Sequence, residues 1–186
     1  MLDELEAQAR SEYAAGEYTH ALADFSVLRE IRSRREGPYS VKYLRSLHDC
    51  VRCMRHLQLW RDSDLLCSEL YSKYLRTHGR GETDTVDVAK HWAWAMVNLA
   101  DYPSAVRLYL ATADALWDVD HHTALRLLGA AAAHIEPEHE AVDGLAGITL
   151  AHTTDLAASF DDLAERLGND ASARASITFD GLALAE

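Results

Sequence analysis

A 42-residue repeat is the feature of this sequence that most constrains its fold. The segment Asn98–Leu116, "NLADYPSAVRLYLATADAL", shifted back by 42 residues meets "HLQLWRDSDLLCSELYSKY", and a second equal shift meets "AAGEYTHALADFSVLREI". The recurring positions are an aromatic residue, a small residue and a second position that is aromatic in two of the copies (Tyr18, Trp60, Tyr102; Ala21, Ser63, Ala105; Phe25, Cys67, Tyr109). Two successive shifts of the same length predict a chain built from repeated supersecondary units.

Each copy predicts two amphipathic helices joined by a short turn. The first helix is predicted at 40–57 and again at 84–99, where apolar residues recur at intervals of three and four. A second helix follows each break, as at 60–77, and Pro103 falls in the first turn of one of them, where its missing N–H leaves no helical hydrogen bond unmade. The loops "REGPYS" and "HGRGETDT" between copies carry the Gly and Pro typical of helix ends.

The last part of the chain predicts a fourth copy, a terminal helix and a tail. "TALRLLGAAAAHIEPEHEAVDGLAGI" repeats the two-helix pattern at a shorter spacing, with its first helix at 121–134 and Leu125 and Leu128 on its apolar stripe. "TTDLAASFDDLAERLG" predicts a terminal helix. We therefore expect a repeat domain at 1–168, closed by that polar-backed helix, and a flexible tail at 169–186.

Two stretches carry a resemblance to a known repeat family. "G-E-Y-x-x-A-x-x-x-F" at Gly16–Phe25 and "D-Y-x-x-A-x-x-x-Y" at Asp101–Tyr109 resemble the tetratricopeptide repeat (TPR), and the 42-residue spacing is similar to its kinesin-light-chain variety. The sequence departs from that pattern where Cys67 replaces an aromatic residue and where Gln58 and Ala100 replace the turn glycine. The resemblance covers about 2–150 and implies an all-α fold, a right-handed α-solenoid of about four helix-turn-helix repeats plus a terminal capping helix.

Charge and composition narrow the classes of partner. The net charge is −12, and residues 91–186 hold 4 Lys and Arg against 15 Asp and Glu. Since phosphate binding needs a surplus of basic residues, we expect neither a nucleic acid nor a membrane surface as partner. Three cysteines and an acidic amphipathic start, unlike a signal peptide, predict free thiols and a cytoplasmic protein. The Ala-rich, Arg-over-Lys composition is typical of a bacterial protein with a GC-rich gene.

The sequence contains none of the motifs for phosphate loops, nucleophile elbows, zinc helices or dinucleotide folds, which favours a non-enzymatic protein without a cofactor. Cys50-x-x-Cys53, with Cys67, His48 and His56 near it, leaves open a thiolate-rich zinc site. The alternative is that Cys50 and Cys67 are small apolar residues of the core, and this is our prediction. "DVDHH" and "HIEPEH" bring acids and imidazoles together, and we interpret them as helix-boundary residues rather than metal ligands.

A basic strip is predicted where the first helices of the repeats line a concave groove. When the residues predicted in the core are set aside, other residues of these first helices are expected to face the groove and to bind a peptide (Arg45, His48, Arg52, Arg55, Lys90, Trp94 and Arg126). Because a guanidinium can hold a carboxylate through two parallel hydrogen bonds, the strip predicts an acidic segment or a terminal carboxylate as ligand. The resemblance likewise implies a protein-binding adaptor or sensor.

The sequence leaves three alternatives to this interpretation open. The arginines could instead pair with acidic neighbours such as Asp49, Glu69 and Asp87, with little effect on stability. The protein could self-assemble as a homo-oligomer whose tail, 169–186, occupies the groove. It could also be an accessory metal-binding protein that uses the cysteines or histidines.

Overall fold

The computed structural model describes residues 2–132 and residue 134. In this part of the chain all regular structure is helical, which confirms the predicted all-α class. Its helices are α1 (Leu2–Ala14), α2 (Tyr18–Glu36), α3 (Val41–His56), α4 (Trp60–Thr77), α5 (Thr83–Asn98), α6 (Tyr102–Leu116) and α7 (His121–Ala132). The second helix of the fourth copy, the terminal helix and the tail at 169–186 lie outside the described residues.

The backbone repeats with the same 42-residue period as the sequence. The helices α2, α4 and α6 begin at Tyr18, Trp60 and Tyr102, and α3 and α5 begin at positions 41 and 83. The turn before each of α2, α4 and α6 contains one residue in the left-handed region (Gly16, φ 80°; Gln58, φ 57°; Ala100, φ 62°). Sequence and backbone therefore share one repeating unit, a pair of helices joined by a tight turn.

Local chemistry fixes where several helices begin. The Ser40 hydroxyl accepts a hydrogen bond from the backbone N–H of Tyr43 (3.2 Å), which caps α3. The Asp101 carboxylate accepts from the N–H of Ser104 (3.4 Å), and Pro103 lies in the first turn of α6 as predicted. These side chains satisfy backbone donors that a helix start leaves unpaired.

The chain divides into two compact units, Met1–Leu99 and Ala100–Glu186. In the first unit, α2 packs on α1 and α3, and α3 packs on α4 and α5. One apolar cluster joins α1, α2 and α3 through Ala9, Phe25 and Cys50. A second joins α3, α4 and α5 around Leu47 and Leu70. Because α3 contributes to both clusters, it is the central helix of the unit.

Small and aromatic positions of the repeat have the packing roles that the sequence predicts. Ala21 and Ser63 are fully or almost fully buried, which allows neighbouring helices to approach closely. The ring of Tyr18 stacks on that of His56 with centroids 4.0 Å apart, and Trp60 meets Trp94 edge to face. The aromatic residue at the start of each second helix thus covers the end of a following first helix, and such ring pairs add about 0.5–1.5 kcal/mol.

The second unit is described by α6 and α7, which pack against each other. The buried stripe of α7 consists of Ala124, Leu127, Leu128 and Ala131, which follow the i, i+3, i+4, i+7 pattern. Leu125 was predicted on this stripe, but its side chain is 44% exposed, because the stripe is shifted by one residue from the predicted one. No described helix combines the length and the apolar character needed to span a bilayer.

Candidate functional site: a basic cavity beside the central helix

A cavity of about 380 Å³ lies in the first unit beside α3. This volume is within the range of pockets that hold small ligands. Its wall is formed by residues of α1, α3 and α5 and by the end of α4. Three arginines and two histidines on the wall face two aspartates (Arg10, Arg45, Arg52, His48, His78, Asp49, Asp84). Val41 and Leu44 supply an apolar part.

The helical period of α3 places the basic residues on one side. Arg45, His48 and Arg52 follow intervals of three and four residues, so their side chains share one face of the helix. Leu44 and Leu47, on the adjacent face, are buried in the core. The same helix therefore anchors the unit through its apolar face and lines the cavity through its basic face. The sequence-based prediction of a basic strip on α3 identified these three cavity residues.

The three cavity arginines differ in their partners. Arg10 pairs with Glu6 on its own helix (2.5 Å). Arg52 donates to the Asp87 carboxylate (2.8 Å) and also lies 3.7 Å from the Asp49 carboxylate, as the alternative interpretation proposed for the arginines. Arg45 is exposed and forms no hydrogen bond or ion pair with any described residue. Arg45 is thus the cavity arginine whose charge no described carboxylate neutralises at short range.

A buried cluster of two histidines and an aspartate adjoins the cavity wall. Oδ2 of Asp87 lies 3.0 Å from Nε2 of His48 and 3.7 Å from Nε2 of His91, which is one helical turn from Asp87 on α5. Nδ1 of His48 is 3.2 Å from the Tyr74 hydroxyl. Within the described residues this is the one group of three or more His, Cys, Asp or Glu side chains whose potential ligand atoms converge, all within 4.8 Å.

Burial and neighbouring charges shift the pKa values of this cluster in opposite directions. Burial raises the pKa of the Asp87 carboxyl, but the adjacent His48, His91 and Arg52 outweigh it and hold that pKa well below its ordinary value. Burial lowers the pKa of His91, and the opposing effect of the Asp87 carboxylate is smaller. Asp87 is therefore ionised and His91 is neutral at neutral pH.

The cysteines lie in the core, as predicted for Cys50 and Cys67. Cys50 and Cys53 belong to the cluster of α1, α2 and α3, whereas Cys67 belongs to that of α3, α4 and α5. All three are free and completely buried. Burial raises the pKa of the Cys50 thiol to about 11 and the pKa values of the Cys53 and Cys67 thiols to about 12. These thiols are neutral at neutral pH, so none of them has the thiolate character of a reactive cysteine.

The remaining predicted groove residues of the first unit lie outside the cavity wall, and one further residue belongs to the second unit. Arg55 is half-buried and is absent from the cavity wall, as is Lys90 on α5. Trp94 packs edge to face on Trp60, with ring centroids 6.4 Å apart. Arg126 lies on α7 in the second unit. Within the first unit, the structure therefore brings together Arg45, His48 and Arg52 but does not add Arg55, Lys90 or Trp94 to the cavity.

The histidine-rich boundary segments are described in part. The Asp120 carboxylate accepts a hydrogen bond from the N–H of Thr123 (3.1 Å), so "DVDHH" caps the start of α7 as interpreted from the sequence. His121 and His122 are exposed in its first turn. The His134 ring stacks on that of Tyr102, with centroids 5.6 Å apart. The rest of "HIEPEH" lies outside the described residues.

Sequence reasoning missed several residues of the site. His91 was not singled out, although Asp87 and His91 at i and i+4 on α5 give the spacing that brings two ligands to one helix face. Tyr74, His78 and Asp84 join the cavity only because the end of α4 and the start of α5 return to α3. No local pattern could have indicated that proximity.

Comparisons with known proteins identify no family for this chain. The chain matches no protein-family model, and no curated protein matches it. We therefore derive the function from the geometry of the cavity and from the repeat.

Proposed function

We propose that this chain is a TPR-like repeat protein that binds an acidic or carboxylate-terminated segment of a partner protein in the cavity beside α3, without catalysing a reaction. The observation that carries the proposal is Arg45. Its guanidinium lies on the cavity wall, is exposed, and has no carboxylate partner among the described residues. The charge of Arg45 acts on the Glu6 carboxylate, but the two groups form no ion pair, so this guanidinium at a concave surface can receive an anionic group.

The chemistry of the cavity wall fits a peptide carboxylate better than a compact inorganic anion. The planar guanidinium of Arg45 can donate two parallel hydrogen bonds to a carboxylate, each hydrogen bond to a charged group contributing about 1.5–3 kcal/mol. Val41, whose side chain is 67% exposed, and Leu44 offer an apolar surface on the same wall. Asp49 and Asp84 disfavour a ligand that is anionic over its whole surface. A peptide end with one carboxylate and one apolar side chain matches this distribution.

The repeat supports the same conclusion. Helix starts and left-handed turn residues recur every 42 residues, and α3 packs against α5 as well as against α4. The cavity wall draws on α1, α3 and α5, the first helices of successive pairs. In stacked helix pairs this is the face that forms the concave binding surface. A right-handed superhelical arrangement of all the repeats is part of the proposal.

A peptide-library selection tests the proposal. The full chain would be immobilised and offered random peptides with a free C-terminal carboxylate, in parallel with the same library carrying C-terminal amides. We expect enrichment of peptides with Asp, Glu or a free carboxylate next to an apolar residue. Selection of basic peptides, or of none, would contradict the proposal. A molecular mass that rises with protein concentration would instead favour the self-assembly alternative.

A further inference from the structure

We propose that His48, Asp87 and His91 form a binding site for one divalent transition-metal ion, with zinc as the best fit. This site shares His48 with the cavity wall but does not rest on the proposed peptide function, since its test uses the metal alone. Two imidazoles and one carboxylate are a donor set that zinc accepts in proteins. The two helices bring them together from different parts of the chain, His48 from α3 and the other two from α5.

The spacing of the donor atoms suits one ion. Bonds of about 2.0–2.1 Å in a tetrahedral site place neighbouring donor atoms roughly 3.3 Å apart. Oδ2 of Asp87 lies 3.0 Å from Nε2 of His48 and 3.7 Å from Nε2 of His91, on either side of that value. The potential ligand atoms of all three residues lie within 4.8 Å of one another. Side-chain movements of about one ångström would complete the geometry.

Unsatisfied nitrogen atoms are the second observation that indicates a ligand. Nε2 of His48 is buried and has no hydrogen-bond partner in the described part of the chain, although it lies 3.0 Å from a carboxylate oxygen. Nε2 of His91 is 3.7 Å from Asp87, beyond hydrogen-bond distance, and is the ring nitrogen available to the ion, whereas the buried and unpartnered Nδ1 lies on the other side of the ring. Both side chains are about 4% exposed. Buried polar atoms are normally paired, so Nε2 of His48, with Nε2 of His91 beside it, has capacity for a further partner.

The hydroxyl of Tyr74 would orient one ligand. It lies 3.2 Å from Nδ1 of His48, the ring nitrogen that faces away from Asp87. Metal-binding histidines usually have such a partner at the second nitrogen, which fixes the ring and leaves the first nitrogen free to bind. His48 also lines the cavity, so a fourth ligand such as water can approach from that side.

Arg52 competes with a metal at this site. It donates to the same Oδ2 of Asp87 at 2.8 Å, and a bound cation would weaken this interaction by charge repulsion. Asp49, whose carboxylate lies 3.7 Å from Arg52, provides an alternative partner for the displaced guanidinium. The competition predicts a site of moderate affinity. The experiment must distinguish this site from a purely structural network of Arg52, Asp87, His48 and His91.

Zinc titration of the full chain, followed by calorimetry, tests the site. We expect wild type to bind one zinc ion per chain at the buried cluster. His91→Gln and Asp87→Asn are each expected to weaken this binding more than about tenfold, the smallest loss usually seen when even an outer partner of a metal ligand is removed. The control is His121→Gln/His122→Gln, in which both changed residues are exposed and distant in sequence from the cluster. It should bind zinc as wild type does.

The outcomes separate a built site from adventitious binding. Equal zinc affinity in wild type and in a folded His91→Gln or Asp87→Asn variant would overturn the proposal, as would an absence of binding to wild type. Loss of the stoichiometric zinc in the control would also overturn it, and this result does not depend on the folding of a core variant. Failure of the peptide selection would leave the zinc result unaffected, because no peptide is present in this titration.

Discussion

Loss of the Glu6 carboxylate is expected to destabilise the first unit by about 3 kcal/mol, because it leaves a buried cation without its anionic partner. Arg32 is only 3% exposed. Its Nη1 donates to the Ser46 hydroxyl (2.7 Å) and to the Lys42 carbonyl (3.3 Å), and its Nη2 donates to the Glu6 carboxylate. The Glu6→Ala variant leaves the guanidinium with neutral acceptors alone.

The magnitude follows from the burial of the two partners. Removal of one member of a buried ion pair costs about 3–5 kcal/mol. We expect the lower end of this range, since the Glu6 side chain is 19% exposed and two acceptors for Arg32 remain. The reciprocal variant, Arg32→Met, should cost less, about 1–2 kcal/mol, because Glu6 keeps Arg10 as a partner and can be hydrated. The double variant should be more stable than the sum of the two single effects predicts.

Equilibrium urea unfolding, followed by circular dichroism, would measure the free energy of unfolding of each variant. Glu30→Ala is the matched control, because Glu30 pairs with Arg34 on an exposed surface, where loss of an ion pair costs about 0–1 kcal/mol. A cost below about 1 kcal/mol for Glu6→Ala, or strict additivity in the double variant, would refute the reasoning.

The same pair predicts a pH dependence. Burial raises the pKa of the Glu6 carboxyl, but the hydrogen bond and charge of Arg32 outweigh it, so the net pKa is lowered from 4.5. A carboxyl whose pKa is lower in the folded than in the unfolded state stabilises the protein above its unfolded pKa. This contribution is lost as the pH falls through the folded pKa. The difference in unfolding free energy between wild type and Glu6→Ala should therefore be full at neutral pH and shrink at acidic pH.

Three variants and one reagent test the repeat and its core further. Gln58→Gly and Ala100→Gly should each raise the free energy of unfolding, measured in urea, by about 0.5–1 kcal/mol. The reason is that relief of the left-handed backbone strain exceeds the entropy cost of glycine. A loss of stability would contradict the turn geometry. Ala21→Leu should lower the melting temperature, because overpacking of a fully buried position costs about 1–3 kcal/mol, and an unchanged value would show that the helices are not in close contact there. A thiol reagent at pH 8 should modify the native protein far more slowly than the urea-unfolded protein. Burial and raised pKa values protect each of the three thiols (Cys50, Cys53, Cys67). Equal modification rates would contradict this account.

Periodic features of the fold could be predicted from the sequence. The intervals of three and four residues in α3 predict the face on which Leu44 and Leu47 are buried, and the 42-residue shift predicts the starts of α2, α4 and α6. Such features depend on residues that are close in sequence, so local physics decides them. The Ala-rich α7 is the exception, where Leu125 is exposed because the helix has several apolar residues that could form the stripe.

The site could be predicted only in part, because it depends on contacts between distant segments. The basic face of α3 was visible as a spacing of Arg45, His48 and Arg52. The sequence could not show whether each arginine is free or paired, since the partner of Arg52 is Asp87, 35 residues away on another helix. His91 likewise acquires its significance only when α5 packs on α3. A single sequence contains the residues of such a cluster but not the distances between them.

The central claim, that the cavity around Arg45 binds a peptide carboxylate, is tested most directly by one comparison of dissociation constants. A peptide from the library selection would be titrated by calorimetry into wild type, Arg45→Glu and the control Arg61→Glu, which reverses an exposed charge on α4 away from the cavity. Loss of one charged hydrogen bond, worth about 1.5–3 kcal/mol, predicts a dissociation constant at least roughly 10-fold to 150-fold higher for Arg45→Glu and an unchanged one for Arg61→Glu. Equal dissociation constants for the two variants would contradict the account.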